Sequence, residues 1–206
     1  MDGEDSGRKK PDSALAEHVG WLGTINAWEC DEMQRLELRF YVALAWQGIL
    51  HHAAALGRSE ALVLEEQHIR FHRELRPNVP AHLSCRLLGQ DREGALVLQR
   101  LVRSDTGETI ATIRSAVARQ PASVSREPMR VRAEDDVPEE ARYRGLKPDS
   151  PLPDDPDLTG FTLTGRGVVL PHDCDDGRLR PELVLGRIAE ATPHLVSPFN
   201  LAAREA

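Results

Sequence analysis

Between residues 36 and 56 the apolar positions fall on two helical stripes at once. One runs through Leu36, Phe40, Ala43, Leu50 and Ala54, with Gln47 among them; the other runs through Val42, Trp46, Ile49 and Ala53. A helix that is apolar over most of its circumference belongs inside a protein. The pattern therefore predicts a buried helix over 36–57, with Gly57 placed to end it. Upstream, 21–30 (WLGTINAWEC) mixes β-branched and aromatic residues and predicts a strand. Downstream, four more strands are predicted at 61–75, 81–90, 95–104 and 108–119. The segments DREG (91–94) and DTG (105–107) supply turns between them. Strand, buried helix and antiparallel meander together predict an α+β domain over 18–119. Wrapping the sheet around the helix is the economical way to cover both stripes.

The flanks lose this pattern. Residues 1–17 are charged, carry Gly, Ser and Pro, and are expected to be disordered. Residues 120–160 hold seven of the 14 prolines together with acidic clusters, and read as a linker with one short helix near 138–144. Beyond it, 161–174 predicts a strand and 181–196 a helix carrying Leu183, Leu185, Ile188 and Ala191. The phrase WECDEMQRLEL at 28–38 returns as HDCDDGRLRPE at 172–182. Cys30 and Cys174, Asp31 and Asp175, and Gly23 and Gly167 share one separation, and the match continues after a one-residue deletion. This is an internal repeat of a strand–loop–helix unit. Its second copy, within 161–206, lacks the meander and reads as a partial second unit.

Composition narrows the partners. The chain of 206 residues has 40 % hydrophobic but only 4 % aromatic residues, so its core is built from Leu, Val, Ile and Ala. A net charge of −7 without a basic, aromatic-interleaved stripe argues against nucleic acid. Three cysteines, a polar N-terminus without an apolar signal core, and no apolar run of membrane-spanning length lead to the expectation of a cytoplasmic protein without membrane attachment.

The segment WECDEM (28–33) followed by Arg39-Phe40-Tyr41, ahead of a buried helix and a meander, resembles the signature region of hot-dog fold acyl-CoA thioesterases of the 4-hydroxybenzoyl-CoA type. The HIRFHREL run at 68–75 resembles that family's second strand, and the repeat resembles the start of a second unit in tandem hot-dog proteins. Where the family has Gly-His-Met-Asn, this chain has Gln34-Arg35-Leu36-Glu37, and in the second copy Gly177-Arg178-Leu179-Arg180. The resemblance implies hydrolysis of an acyl-CoA or acyl-carrier-protein thioester in a site between two units, hence a homodimer or higher oligomer, and requires no cofactor.

Thioester hydrolysis needs a carboxylate to attack the carbonyl or activate water, and donors for the developing oxyanion. By resemblance Asp31 is the carboxylate. Backbone N–H groups at Leu36, Glu37 and Leu38, where the helix opens, are the candidate oxyanion donors. The competing account makes Asp31 and Glu32 ordinary helix-start acids. Arg35, Arg39 and Arg70 are candidates for CoA phosphates, or surface charges. Asp175 is the second-copy counterpart of Asp31. Glu190 reads as part of a solvated helix face. His68, Arg70 and His72 share one face of a predicted strand and read as a polar, solvated face, the alternative being that they bind a CoA phosphate or line the site. No His/Cys/Asp/Glu spacing suits a metal, and Cys30 has no nearby His to activate it as a nucleophile.

The first expectation is thus a thioesterase acting through Asp31. The second is a catalytically degenerate hot-dog protein that binds acyl-CoA or a partner without turnover, favoured by the missing His and Asn. A hot-dog dehydratase or hydratase ranks third, because no His lies between Asp31 and His51.

Overall fold

The computed structural model describes residues 17–56, 62–90, 94–119, 139, 142, 168–175 and 177–196. Strand β1 (His18–Thr24) precedes helix α1 (Leu38–Ala55), and β2 (Leu62–Phe71), β3 (Pro80–Gln90), β4 (Gly94–Arg103) and β5 (Thr109–Arg119) follow. The five strands form one antiparallel sheet in the order β1-β3-β4-β5-β2. Its consecutive members β3, β4 and β5 pair as hairpins, and β2 returns to the far edge beside β5. The α+β arrangement expected from the pattern, a sheet around a long helix, is what the chain adopts.

The two apolar stripes of α1 do not bury equally. Val42, Trp46 and Ile49 are buried with Tyr41, Leu44, Ala45, Gly48 and His52. Gln47 and Ala54 are exposed, and Leu50 is 41 % exposed. The sheet contributes Ala81, Leu83, Cys85 and Leu87 from β3, Val97 and Leu101 from β4, and Ile113 and Val117 from β5. Helix and sheet approach closely where small residues allow it. A Cβ on Gly48 would lie 2.6 Å from Leu83 Cδ2 and 2.9 Å from Gln99 Nε2. One polar chain crosses this core. Gln99 is fully buried, and its Nε2 donates to Ala45 O of α1 at 2.8 Å. Its Oε1 accepts from Ser115 Oγ, whose own partner on β2 is Gln67 Nε2. Buried polar atoms need such partners, and these tie the helix to β4, β5 and β2.

Three boundaries differ from expectation. Residues 27–29 form a 3₁₀ turn rather than the end of β1, because Glu29 Oε2 accepts from Asn26 N (2.6 Å) and Asn26 Nδ2 (3.2 Å) and folds the backbone back. Helix α1 opens at Leu38, since the N–H of Leu36 is drawn to Leu75 O (2.8 Å) and that of Glu37 to Glu29 O (3.0 Å). Strand β2 stops at Phe71. There the N–H groups of His72 and Arg73 converge on Ile110 O, and 72–75 swings toward the start of α1.

The second copy repeats these details. Pro171–Asp173 is again a 3₁₀ turn whose third side chain accepts from the backbone three residues back (Leu170 N to Asp173 Oδ2, 3.0 Å). The isolated bridge Cys30–Leu36 becomes the pair β6 (Cys174–Asp175) and β7 (Arg178–Leu179), with Cys174 opposite Leu179. The left-handed residue Gln34 (φ 58°) becomes Gly177 (φ 76°). Glu37 N bonded to Glu29 O becomes Arg180 N bonded to Asp173 O, 3.0 Å in both. Helix α2 (Pro181–Val196) follows, as predicted, with Pro181 at its first position where no N–H is needed. It packs against α1, with Gly186 beside Arg39 Cδ.

The expected strand at 161–174 lies largely outside the described residues. Within them, 168–170 forms no strand. The expectations of a disordered 1–17, Glu17 apart, and of the Gly57 stop lie outside the described residues, as does most of the helix near 138–144. Among the described residues no helix is long and apolar enough to cross a membrane.

Candidate functional site

A cleft of about 800 Å³ opens where α1 begins, bounded by the loop 31–37, the segment 71–75 leaving β2, and helix α2. Leu36, Leu38, Tyr41, Phe71 and Leu75 form one wall, and Leu185, Ile188 and Ala189 of α2 the other. Asp31, Arg35, Arg39, His72, Arg73 and Glu74 supply its polar groups. Asp31, Arg35, Leu36, Glu37, Leu38 and Arg39, singled out in the sequence, meet here. Arg70 does not line the cleft; its Nη1 donates to Glu139 O at 3.2 Å. Asp175 also lies outside it, exposed and opposite Arg178 in the β6–β7 pair. Glu190 pairs with Arg187 at 3.0 Å on the solvated face of α2.

Asp31 is held tightly by its own loop. Oδ1 accepts from the backbone N–H groups of Met33 and Arg35, each at 2.9 Å. Oδ2 accepts from Arg35 Nε at 3.1 Å and pairs with Arg35 Nη2 at 3.0 Å. The Arg35 N–H above all, then the Arg35 guanidinium, hold this carboxyl below its ordinary range, so it is ionised at neutral pH. The positive φ of Gln34 makes the turn that brings the Arg35 N–H onto the carboxylate. A carboxylate has about four acceptor sites, and these four contacts use them. Arg35 also reaches Glu74 Oε1, at 4.0 Å.

The expected oxyanion donors are redistributed. Leu36 N and Glu37 N are spent on Leu75 O and Glu29 O. Leu38, the first helical residue, remains: the first N–H groups of a helix have no acceptor within it.

Two further residues shape the cleft. His72, read as part of a solvated strand face, stands instead just past β2 in the cleft, with Nε2 2.9 Å from Thr112 Oγ1. Only the end of β2 at Phe71 separates it from the sheet, and no local pattern announces that end. Tyr41, 4 % exposed, stacks edge-on against Phe71 with ring centroids 5.0 Å apart. Burial pushes its phenol up to about 12, against a backbone hydrogen bond from Leu75 acting the other way. The hydroxyl thus stays protonated. Cys30 is no activated thiol. Burial first, then Glu29, Asp31 and Glu37, raise its pKa, and Sγ contacts Asn26 O at 3.6 Å.

Comparison with solved structures identifies the architecture as the hot-dog fold. A Lactobacillus plantarum protein assigned as an oleoyl thioesterase superposes with a TM-score of 0.61 over 86 % of this chain and 72 % of its own, at 18 % identity. A Bartonella henselae protein assigned as a thioesterase gives 0.48 over 55 % of this chain and 100 % of its own, at 12 % identity. The 1,4-dihydroxy-2-naphthoyl-CoA thioesterase of Synechocystis gives 0.46 over 50 % and 81 %, at 7 % identity. No family model and no curated protein matches the sequence.

Proposed function

We propose that the chain is a thioester hydrolase acting on an acyl group carried by CoA or an acyl carrier protein. The observation that carries this reading is the joint presence in one apolar cleft of an ionised carboxylate, Asp31, and the open first turn of α1 at Leu38. The helix start supplies N–H groups and a partial positive charge to an oxyanion. Arg35, Arg39 and Arg73 at the same cleft suit the phosphates of the carrier. His72 adds a second group able to accept the proton of an attacking water. For Asp31 to act, Arg35 has to release it. A carrier phosphate competing for the guanidinium supplies the exchange.

The engagement of Asp31 by four donors favours a second reading, a hot-dog module that binds an acyl carrier without turnover. Thiol release from short, long and aromatic acyl-CoAs, measured beside Asp31→Asn, separates the two. Hydrolysis lost in Asp31→Asn supports the first; binding without release in the unmodified protein supports the second. Hydrolysis that survives the substitution removes Asp31 from the mechanism. A homodimer remains part of the proposal, since among the described strands β2 lies at an edge of the sheet, the place where another copy adds a strand. Sedimentation of the purified protein tests it.

A further inference from the structure

Behind the cleft a second hollow of about 390 Å³ runs between β2, α1 and α2. Leu38, Phe71 and Leu185 line both spaces, so the two adjoin at this boundary. The chemistry changes across it. The cleft carries arginines and carboxylates, whereas the hollow is walled by Val42, Leu64, Ile69, Pro181 and Val184 and has no ionisable side chain among the described residues. Its one polar residue among those described is Gln67, whose Nε2 donates to Ser115 Oγ at 3.1 Å and whose Oε1 has no partner. Pro181 has no N–H, so the start of α2 presents a wall without that donor. Three large apolar side chains here stand well exposed: Leu38 at 46 %, Phe71 at 51 % and Val184 at 46 %.

We infer that this hollow is the seat of an unbranched, long acyl tail whose polar carrier end occupies the arginine-bearing cleft. The inference rests on the acyl-carrier reading above and names its substrate class. An occupant of the hollow can form no ion pair there and little hydrogen bonding, yet reaches past Leu38, Phe71 and Leu185 to a polar end that competes for Arg35, Arg39 and Arg73 with their present partners Asp31, Glu37 and Glu108. A fatty acyl chain meets both conditions. A compact aromatic acyl group would stop short, at the Tyr41–Phe71 pair of the cleft, and leave the hollow empty.

The test uses the full chain and measures equilibrium binding and thiol release for acetyl-, hexanoyl-, decanoyl-, myristoyl- and benzoyl-CoA, below their micelle concentrations. Affinity should climb with chain length by up to about fourfold per methylene, the worth of moving one CH₂ out of water, until the hollow is full. Val184→Trp, which fills the hollow, and Val184→Glu, which charges it, should each lower the myristoyl-to-hexanoyl affinity ratio at least tenfold. The exposure of Val184 makes both variants compatible with folding, and melting curves check it. A flat profile or a preference for benzoyl-CoA in an active protein overturns the tail site and leaves the hydrolase reading standing. Chain-length-dependent, Val184-sensitive binding without thiol release supports the tail site and sinks the hydrolase reading. No binding and no release with any of the five, nor with myristoyl-acyl carrier protein, overturns both.

Discussion

Arg35 grips Asp31 from three directions, through its backbone N–H, its Nε and its Nη2. The candidate carboxylate is therefore ionised but engaged. Because the folded pKa lies below the ordinary 3.8, the interaction stabilises the fold above about pH 4 and is lost as pH falls through the depressed value. Arg35→Gln removes the side-chain donors and leaves the backbone ones. The Asp31 carboxyl should then titrate at higher pH than in the unmodified protein, though still below 3.8, as read by carbon NMR of the side chain. The stability difference between the two proteins should vanish in strong acid. An Asp31 titration that does not move would show that the loop backbone alone sets it.

His72 lines the cleft, and its anchor is Thr112. His72→Gln keeps a hydrogen-bonding side chain there but removes the imidazole. If His72 shares the proton transfer, kcat should drop by about 10²-fold or more, with a changed pH profile and nearly unaltered melting temperature. Loss confined to stability would assign it a structural role.

Gly20 of β1 and Gly48 of α1 form a close helix–strand contact, with a Cβ on Gly20 reaching 2.9 Å from Gly48 Cα and 2.7 Å from Cys85 Sγ. Gly48→Ala gains up to about 1 kcal/mol of helix propensity but pushes a methyl into Leu83 and Gln99. Overpacking of this kind costs about 1–3 kcal/mol. Urea titration should show a net loss of stability, and Gly48→Ala as stable as the parent would mean the helix lifts off the sheet freely.

At the other end of α1, His18 and His52 stack at 4.2 Å and share a hydrogen bond of 3.0 Å between their Nδ1 atoms. One nitrogen donates and the other accepts, so at least one ring is neutral. Burial chiefly, with the charge of nearby His51, lowers the pKa of His18 below 6.5. A depressed pKa means the contribution is whole above pH 6.5 and is lost as pH falls through the folded value. The stability of the protein should decline on acidification from pH 7 to 5, and His18→Leu should flatten that decline. Equal slopes in the two proteins would move the cause elsewhere.

Much of the architecture was readable from local pattern. Helix α1, the three hairpin-linked strands β3–β5 and the span of α2 follow from apolar spacing and turn residues, which act within a few residues along the chain. The repeat was legible because paired residues at a constant separation need no structure to be seen, and the loop geometries around Asp31 and Asp175 follow it down to their turns. The tertiary structure decided what depends on distant partners. Leu75 O and Glu29 O claim the N–H groups of Leu36 and Glu37 and start the helix at Leu38. The end of β2 at Ile110 O delivers His72 to the cleft while Arg70 stays away, and the packing of α2 on α1 makes the apolar hollow. Periodicity reports which face of an element is buried; it carries no information about which remote backbone oxygen competes for an N–H, or which side chains meet where two elements end together.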